Sequence, residues 1–359
     1  MTKAAELAKM GEVLTNSQIG GRRNIVINGA MQVAQRGTSS TGVGASDGVF
    51  PCIDRLKVRA NNTAGRATVS QVSVTDLPGF ANAAKVDCTT ADTSIAAGEY
   101  FYLQNVFEGQ DVQQFKKGTS EAEKITVSFY VKGNASATYT VEIRDQDNTR
   151  YNSQEFSVTT SWTRVTKTFV GDTTGAFDDD QFESLRFNIW LHAGSTYTGG
   201  THTDNVWHTT VNQRVGDSQT SFFDSTDREF FLTGLQIEVG EQATPFEHRS
   251  FGEELALCQR YFEFISGGIG SGFSTSTSTV QIVYPYRVDK RNSATAALVG
   301  TPVINDGSQQ SNINSIDNTY HSFTSGAFFI LGTGTVNNNE AILFYSTSAT
   351  VGFSFDAEL

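Results

Sequence analysis

The chain has 359 residues, which is enough for two or three domains that each bury a core. Its formal net charge is -12 and only 18% of its residues are charged, which argues against a non-specific nucleic-acid binder because phosphate contacts need clustered Lys and Arg. No apolar run approaches the roughly 18 residues of a membrane span, and no apolar signal segment begins the chain, so we expect no membrane insertion.

The N-terminal residues 1–15 are rich in Ala, Glu, Lys and Leu and predict a short helix. Its apolar side chains Leu7, Met10 and Leu14 recur at helical spacing. So short a helix is marginal alone, and it is either a free segment or a docking element that needs a partner. Residues 16–23 form a turn-rich hinge.

Short strands separated by turns follow from Asn24 onwards, beginning with two apolar runs around an Asn28-Gly29 turn. The residues 39–48 read as a flexible loop. Three later segments alternate clearly, with apolar residues predicted inward at Ile125, Val127, Phe129 and Val131, at Tyr139, Val141 and Ile143, and at Leu185, Phe187, Ile189 and Leu191. Many short strands with almost no helix predict an all-β protein whose main domain is a jelly-roll β-sandwich.

Within the stretch from Leu232 to Phe262, the spacing of apolar residues changes from that of a strand to that of a helix. The stretch opens as an alternating strand and continues as an amphipathic helix from Phe251 to Phe262. Shorter strands follow and predict a small C-terminal β domain, which would gain stability from oligomerisation. We therefore expect an N-terminal helix and hinge (1–23), a jelly-roll domain (24–250), a linking helix (251–267) and a C-terminal β-sandwich (268–359).

Polar and aromatic side chains alternate with the predicted core residues and would share the opposite face of one sheet: Tyr130, Glu142, Arg144, Asn188, Trp190, His192, Gln236 and Glu238. Carbohydrate sites stack sugar rings on aromatic side chains and bind the hydroxyls through carboxylates, amides and Arg. This face is therefore the candidate carbohydrate site. Alternatively, loops or a neighbouring subunit cover it. Trp207, in the polar loop 194–220, either contacts a ligand or anchors the loop, and Trp162 is interpreted as structural.

Metal and enzyme signals are weak. His192, His202, Asp204 and His208 match no zinc spacing. The run 178–180 supplies carboxylates that could hold calcium but lacks the spacing of an EF-hand, so a solvated acidic turn is favoured and no cofactor is expected. The three cysteines, Cys52, Cys88 and Cys258, are too widely spaced for a disulfide framework and predict free buried thiols.

Glu142 and Glu238 would be the carboxylate pair of a glycosidase if they lay together in a cleft. The sequence has no GxSxG, HExxH or P-loop motif. We therefore expect a protein that is not an enzyme.

Several passages in a fixed order carry a family resemblance: RNIVINGAMQVAQRGTS, IDRLKV, ITVSFYVKG, TTSWTRVTKTFVGD, LTGLQIEVGEQATPFEHRS, EELALCQRYF and the final FDAEL. Together they resemble tail-fibre and related virion-appendage proteins of tailed bacteriophages, especially phages of marine bacteria and cyanobacteria. In those proteins a jelly roll like a carbohydrate-binding module precedes the LCQRYF helix and a C-terminal β domain ending in DAEL. The chain has no room for a long shaft or an enzymatic β-helix.

The resemblance implies a structural virion protein, assembled in the host cytoplasm as a homotrimer, that binds host surface glycan during adsorption as a short tail fibre or fibre tip. Its N-terminal helix would dock on a phage tail or head protein through Leu7, Met10 and Leu14. The linking helix would pack near the trimer axis through Phe251, Leu255 and Phe262. A capsid-attached fibre or decoration protein is the first alternative, and a glycan depolymerase is the second.

Overall fold

The computed structural model describes residues 3–4, 23–317, 324–346 and 348–359. The predicted docking residues Leu7, Met10 and Leu14 lie outside these ranges. The described chain divides into a first unit, which runs up to Gln32 and resumes over Thr38–Arg249, and a second unit of Val33–Gly37 and Ser250–Leu359. The short segment 33–37, which the sequence placed in the jelly-roll domain, thus belongs to the second unit. No helix in the described ranges is long and apolar enough to cross a membrane.

The first unit is a β-sandwich of the jelly-roll type, and the predicted fold class is confirmed. Its strands are β1 (Ser39–Val43), β2 (Lys57–Asn61), β3 (Arg66–Ser73), β4 (Asn82–Thr90), β5 (Tyr100–Glu108), β6 (Ile125–Gly133), β7 (Ala137–Asp145), β8 (Arg150–Val158), β9 (Thr163–Phe169), β10 (Glu183–Ala193) and β11 (Glu229–Val239). A six-stranded sheet has the order β1-β3-β4-β11-β6-β9, and a five-stranded sheet has the order β2-β5-β10-β7-β8. All of these strand pairs are antiparallel.

The core of the first unit lies between the two sheets. Phe129 of the six-stranded sheet packs edge-on against Phe156 and Phe187 of the five-stranded sheet, with ring centroids 5.3 and 6.0 Å apart. The residues predicted to point inward on β6, β7 and β10 are all buried in this cluster. Alternation along a strand therefore identified the core side of each strand correctly.

The segment before β1 differs from its prediction, because its apolar residues are buried or half-buried without forming strands. The side chain of Asn24 accepts from the Ile237 backbone N–H at 3.1 Å and from the Val26 N–H at 3.0 Å. Asn28 adopts the left-handed region with φ of 61°, as the predicted turn requires. Side-chain hydrogen bonds thus take the place of a strand ladder here. Conversely, the predicted loop 39–48 contains β1.

Short helices occupy the connections of the first unit. The α-helix α1 spans Ser195–Thr198, and 3₁₀ turns span Gly109–Asp111, Gln113–Phe115, Val211–Gln213 and Phe222–Asp224. Helix α1 and the turn at Val211–Gln213 both belong to the long polar connection 194–220. This connection folds back over the five-stranded sheet, as shown by the backbone bridge between Tyr151 and His208.

The longer segment of the second unit opens with helix α2 (Phe251–Gln259), whose N-cap Ser250 accepts from the Glu253 backbone N–H at 3.3 Å. The helix ends at Gln259, so its predicted extension to Phe262 is wrong. Phe262 instead opens a strand that pairs with the C-terminal strand. Its ring is buried, and the Arg36 guanidinium lies 3.5 Å from the ring centroid. Of the predicted trimer contacts, Phe251 is 57% exposed and Leu255 is half-buried.

The rest of the second unit is a small sheet and a closed barrel, which corrects the predicted C-terminal sandwich. Its strands are β12 (Phe262–Ile265), β13 (Gly268–Ser276), β14 (Thr279–Pro285), β15 (Thr295–Val299), β16 (Val303–Asn305), β17 (Gln310–Asp317), β18 (Gly326–Thr333), β19 (Ala341–Tyr345) and β20 (Gly352–Asp356). The sheet has the order β12-β20-β15, and the barrel has the order β13-β14-β18-β17-β16-β19. Buried side chains such as Ile282, Phe344 and Phe353 form the core of the second unit.

Candidate functional site

The predicted carbohydrate face is divided between the two sheets. Five of its members lie on β7 and β10 of the five-stranded sheet: Glu142, Arg144, Asn188, Trp190 and His192. The other three lie on β6 and β11 of the six-stranded sheet: Tyr130, Gln236 and Glu238. The outer faces of a sandwich point in opposite directions, so the prediction of one shared face is wrong. Glu142 and Glu238 consequently do not form a carboxylate pair.

On the six-stranded sheet, the predicted residues contact their own chain. Gln236 and Glu238 are buried. The Glu238 carboxylate accepts from the Thr244 backbone N–H at 3.1 Å, and the Gln236 side-chain oxygen accepts from the Glu247 N–H at 2.8 Å. Tyr130 is half-buried and packs on Phe80. The connection after β11 therefore covers this face, and these polar groups are already satisfied.

On the five-stranded sheet, a buried ion pair holds the connection 194–220 over the predicted face. The Glu142 carboxylate accepts from Arg214 Nε at 3.0 Å and Nη2 at 2.9 Å, from Asn188 Nδ2 at 2.9 Å and from Trp190 Nε1 at 3.1 Å. Trp190 is 0% exposed, so its ring offers no face to a sugar in this conformation. Arg214 belongs to the connection 194–220, and the alternative in which a loop covers this face is the one observed.

Arg214 is also surrounded by aromatic rings. Its guanidinium carbon lies 4.4 Å from the Tyr151 ring centroid and 4.9 Å from that of Trp190. Burial opposes the charge of Arg214, but the charge and hydrogen bonds of Glu142 outweigh it, so the pKa of Arg214 is raised. The guanidinium therefore stays charged and fixes the connection 194–220 to the sheet.

Beside this buried centre lie two half-buried tyrosine rings. Tyr100 of β5 and Tyr197 of α1 meet edge to face, with centroids 5.6 Å apart and an interplanar angle of 81°. Behind them, Tyr100 contacts the buried rings of Tyr102 at 5.2 Å and Trp190 at 6.3 Å. The two half-buried rings thus rest on a buried aromatic layer.

An ion pair borders the two tyrosines. Arg59 of β2 donates to both carboxylate oxygens of Asp47 at 2.7 Å, and the Tyr100 hydroxyl donates to Asp47 Oδ2 at 3.3 Å. The Asp47 side chain is 40% exposed. We call Asp47, Arg59, Tyr100 and Tyr197 the tyrosine–carboxylate site. It combines two half-buried aromatic rings with charged hydrogen-bonding groups, of which Asp47 is the more exposed.

The electrostatics keep this site ionised. Burial opposes ionisation of Asp47, but the hydrogen bonds and charge of Arg59 outweigh it, so the pKa of Asp47 lies below its usual value of 3.8. Burial, followed by the proximity of Tyr102 and Asp47, raises the pKa of the Tyr100 hydroxyl to about 12. Near neutral pH the site therefore offers a carboxylate, a guanidinium and a neutral phenol.

Sequence reasoning missed the tyrosine–carboxylate site, although one signal was present. Tyr100 and Tyr102 alternate with apolar residues in YFYL, which puts both rings on the outer side of β5. The contributions of Asp47 and Tyr197 carried no comparable signal, because both lie in polar connections far from β5 in sequence.

The remaining tryptophans have structural partners. Trp207 Nε1 donates to the Val170 carbonyl at 2.7 Å, so it anchors the connection 194–220. Trp162 Nε1 donates to Asp76 at 2.9 Å. Of the remaining predicted face residues, Arg144 is half-buried with its guanidinium carbon 5.4 Å from the Tyr151 ring centroid. Burial, and then the nearby charges of Arg214 and Arg186, lower the pKa of Arg144.

The three histidines considered as metal ligands in the sequence, His192, His202 and His208, have different surroundings. His202 lies 3.6 Å from Asp204, and His208 pairs through its backbone with Tyr151. His192 is buried elsewhere, beside Glu99 and Asp92. In the acidic run, Asp178 and Asp179 are exposed, as expected for a solvated turn.

No protein-family model matches this sequence, and no curated protein matches it. Similar solved structures include the carbohydrate-binding module CBM4, with 12% identity and a TM-score of 0.30 over 59% of this chain and 97% of the module. TmCBM61 in complex with β-1,4-galactotriose has 10% identity and a TM-score of 0.30 over 60% of this chain and 99% of its own.

The enzymatically active domain of bacteriophage CBA120 tailspike protein 4 has 8% identity and a TM-score of 0.30, and the match covers 60% of this chain but 21% of the tailspike chain. At such TM-scores these likenesses carry no argument about what this chain binds. The class of protein is therefore defined by the observed topology, a jelly-roll β-sandwich followed by a small β-barrel unit.

Proposed function

We propose that this protein is a non-enzymatic component of a phage virion appendage, a short tail fibre or fibre tip, that binds a surface glycan through the tyrosine–carboxylate site. The observation that carries the glycan proposal is the half-buried pair Tyr100 and Tyr197 beside the bidentate Asp47–Arg59 pair. Aromatic rings stack on the apolar faces of sugars, and carboxylate and guanidinium groups bind their hydroxyls.

Preorganisation supports this function. Tyr100 is held by a hydrogen bond to Asp47 and by contacts to Tyr102 and Trp190. Tyr197 packs on Trp190 at 5.2 Å, and Trp190 is fixed through Glu142. Because these side chains are ordered before a ligand arrives, little side-chain entropy is lost on binding.

Self-association as a homotrimer would convert weak sites into avid binding. The exposed apolar side chains of the second unit support association, namely Phe251 at 57%, Phe273 at 47%, Val283 at 67% and Leu343 at 63% exposure. The virion role itself rests on the ordered sequence passages described above, and docking through the N-terminal helix belongs to the same proposal.

A glycan array with the full-length protein tests the sugar site. Tyr197→Ala removes a ring face and should abolish retention of the glycans that the unmodified protein binds, whereas Tyr197→Phe keeps the ring and should retain them. Trp162→Ala is the matched control, because Trp162 is a half-buried aromatic residue just before β9 of the other sheet. Equal glycan binding by Tyr197→Ala and Tyr197→Phe would remove Tyr197 from the site.

The virion role has a separate test. Antibodies against the protein, visualised by gold labelling of intact phage particles, should mark the tail. Labelling confined to the capsid would favour a capsid-attached fibre or decoration protein, and no labelling of particles would overturn the virion role.

A further inference from the structure

A cluster of three potential metal ligands joins the connection before β5 to strand β10. Asp92 and Glu99 lie at either end of the connection 91–99, and His192 lies near the end of β10. All three are buried, with exposures of 6%, 5% and 0%. Their carboxylate and imidazole ligand atoms all lie within 4.8 Å of one another.

The imidazole of His192 is oriented by its two neighbours. Its Nδ1 lies 2.8 Å from the Ser221 hydroxyl, and its Nε2 lies 3.4 Å from the Glu99 carboxylate. A neutral ring that donates from Nδ1 to Ser221 presents the lone pair of Nε2 towards the two carboxylates. A histidine that binds a metal through one ring nitrogen is commonly oriented by a hydrogen bond from the other ring nitrogen.

Asp92 is held in position by hydrogen bonds. Its Oδ2 accepts from the Thr63 hydroxyl at 2.8 Å and from the Ala64 N–H at 2.7 Å, and its Oδ1 accepts from the Ser94 N–H at 3.3 Å. The carboxylate is therefore fixed before any ion binds.

No Lys or Arg side chain neutralises the two carboxylates. Within the described ranges, neither Asp92 nor Glu99 forms an ion pair with Lys or Arg, and the Glu99 carboxylate lies 3.4 Å from His192 Nε2. Carboxylate oxygens within 4.8 Å of each other repel one another when both are ionised. A cation bound between them would remove this repulsion.

From this geometry we propose that Asp92, Glu99 and His192 bind one divalent transition-metal ion, of which Zn²⁺ is the best fit. Zn²⁺ accepts imidazole nitrogen and carboxylate oxygen as ligands and prefers four of them in a tetrahedron, so these three residues would leave the fourth position to water. Calcium takes six to eight oxygen ligands, and an imidazole nitrogen does not suit it. The ion ties the connection 91–99 to β10 and thereby stabilises the chain immediately before Tyr100.

Metal binding is measured on the full-length protein after removal of metals with a chelator. Titration with Zn²⁺ by calorimetry should show one equivalent bound, accompanied by a rise in the thermal midpoint. Replacement by Co²⁺ should give the visible absorption of a tetrahedral site. Glu99→Gln, which keeps the size of the side chain, and His192→Ala should each weaken Zn²⁺ binding by at least about tenfold.

The matched control is His208→Ala, which removes a histidine outside the cluster and should leave the Zn²⁺ affinity unchanged. Circular dichroism of each variant verifies that the sandwich remains folded. Failure of the unmodified protein to bind Zn²⁺, or equal affinity in folded Glu99→Gln, would show that the three residues are only a hydrogen-bonded structural cluster. Neither outcome depends on glycan binding.

Discussion

Arg214 donates two hydrogen bonds to the Glu142 carboxylate, at 3.0 Å from Nε and 2.9 Å from Nη2, in the centre of the outer face of the five-stranded sheet. This pair decides which part of the face is available to a ligand. It holds the connection 194–220 over Trp190, which is buried, whereas Tyr100 and Tyr197 beside it are only half-buried. The buried pair and the tyrosine–carboxylate site are therefore parts of one arrangement.

Removal of one partner of the Glu142–Arg214 pair should strongly lower the free energy of unfolding. Arg214→Ala leaves the Glu142 charge buried without compensation, and we expect a loss of about 3–5 kcal/mol in the free energy of unfolding, measured by urea denaturation. The double variant Arg214→Met with Glu142→Gln removes the buried charge and should recover part of the loss. Lys124→Ala, which breaks the exposed pair with Glu241, is the control and should cost far less. If Arg214→Ala and Lys124→Ala reduced the free energy of unfolding by similar amounts, burial of the Glu142–Arg214 pair would not explain the effect.

The Asp47–Arg59 pair predicts a pH dependence. Because the folded-state pKa of Asp47 is lowered from 3.8, the stabilisation from its ionised form is fully present above that value and is lost as the pH falls through the lower folded pKa. Thermal midpoints of the unmodified protein and Asp47→Asn should therefore differ at pH 7 and converge in strongly acidic buffer. A constant difference across this range would show that Asp47 does not contribute through its charge.

Two phenylalanines of the second unit should separate folding from assembly. Phe262 is buried, so Phe262→Ala should cost about 3–5 kcal/mol in unfolding free energy. Phe251 is 57% exposed, so Phe251→Ser should leave stability within about 0.5 kcal/mol. If Phe251 contacts neighbouring copies, sedimentation should show a weakened oligomer for Phe251→Ser. An unchanged oligomer would exclude Phe251 from the contact.

The buried thiols should react slowly with thiol reagents in the native state. Burial raises the pKa of both Cys52 and Cys88 to about 11, so few thiolates exist at pH 8. All three cysteines are free and buried. Labelling with a chromogenic disulfide reagent should be slow in buffer and fast in denaturant. Rapid native labelling of Cys52 would contradict its burial.

Local pattern determined the all-β class and the core side of the clearest strands. Alternation at Val127 and Phe129 on β6, and at Phe187 and Ile189 on β10, depends only on the two-residue period of a strand, which any sheet imposes. The same period also limited the prediction of the site. It gives strands of both sheets the same appearance, and therefore it could not assign β10 and β11 to opposite sheets.

Only the tertiary structure decided which outward faces stay open and where the helix ends. Arg214 reaches Glu142 from a distant connection, and no local pattern encodes that contact. Phe262 leaves the helical period because it pairs with the C-terminal strand β20, whose hydrogen bonds outweigh a helical continuation. The cluster of Asp92, Glu99 and His192 likewise exists only after β10 lies beside β5. Periodicity is a local property of the chain, whereas ion pairs, connections that cover a sheet, and clusters of potential ligands arise where distant segments meet.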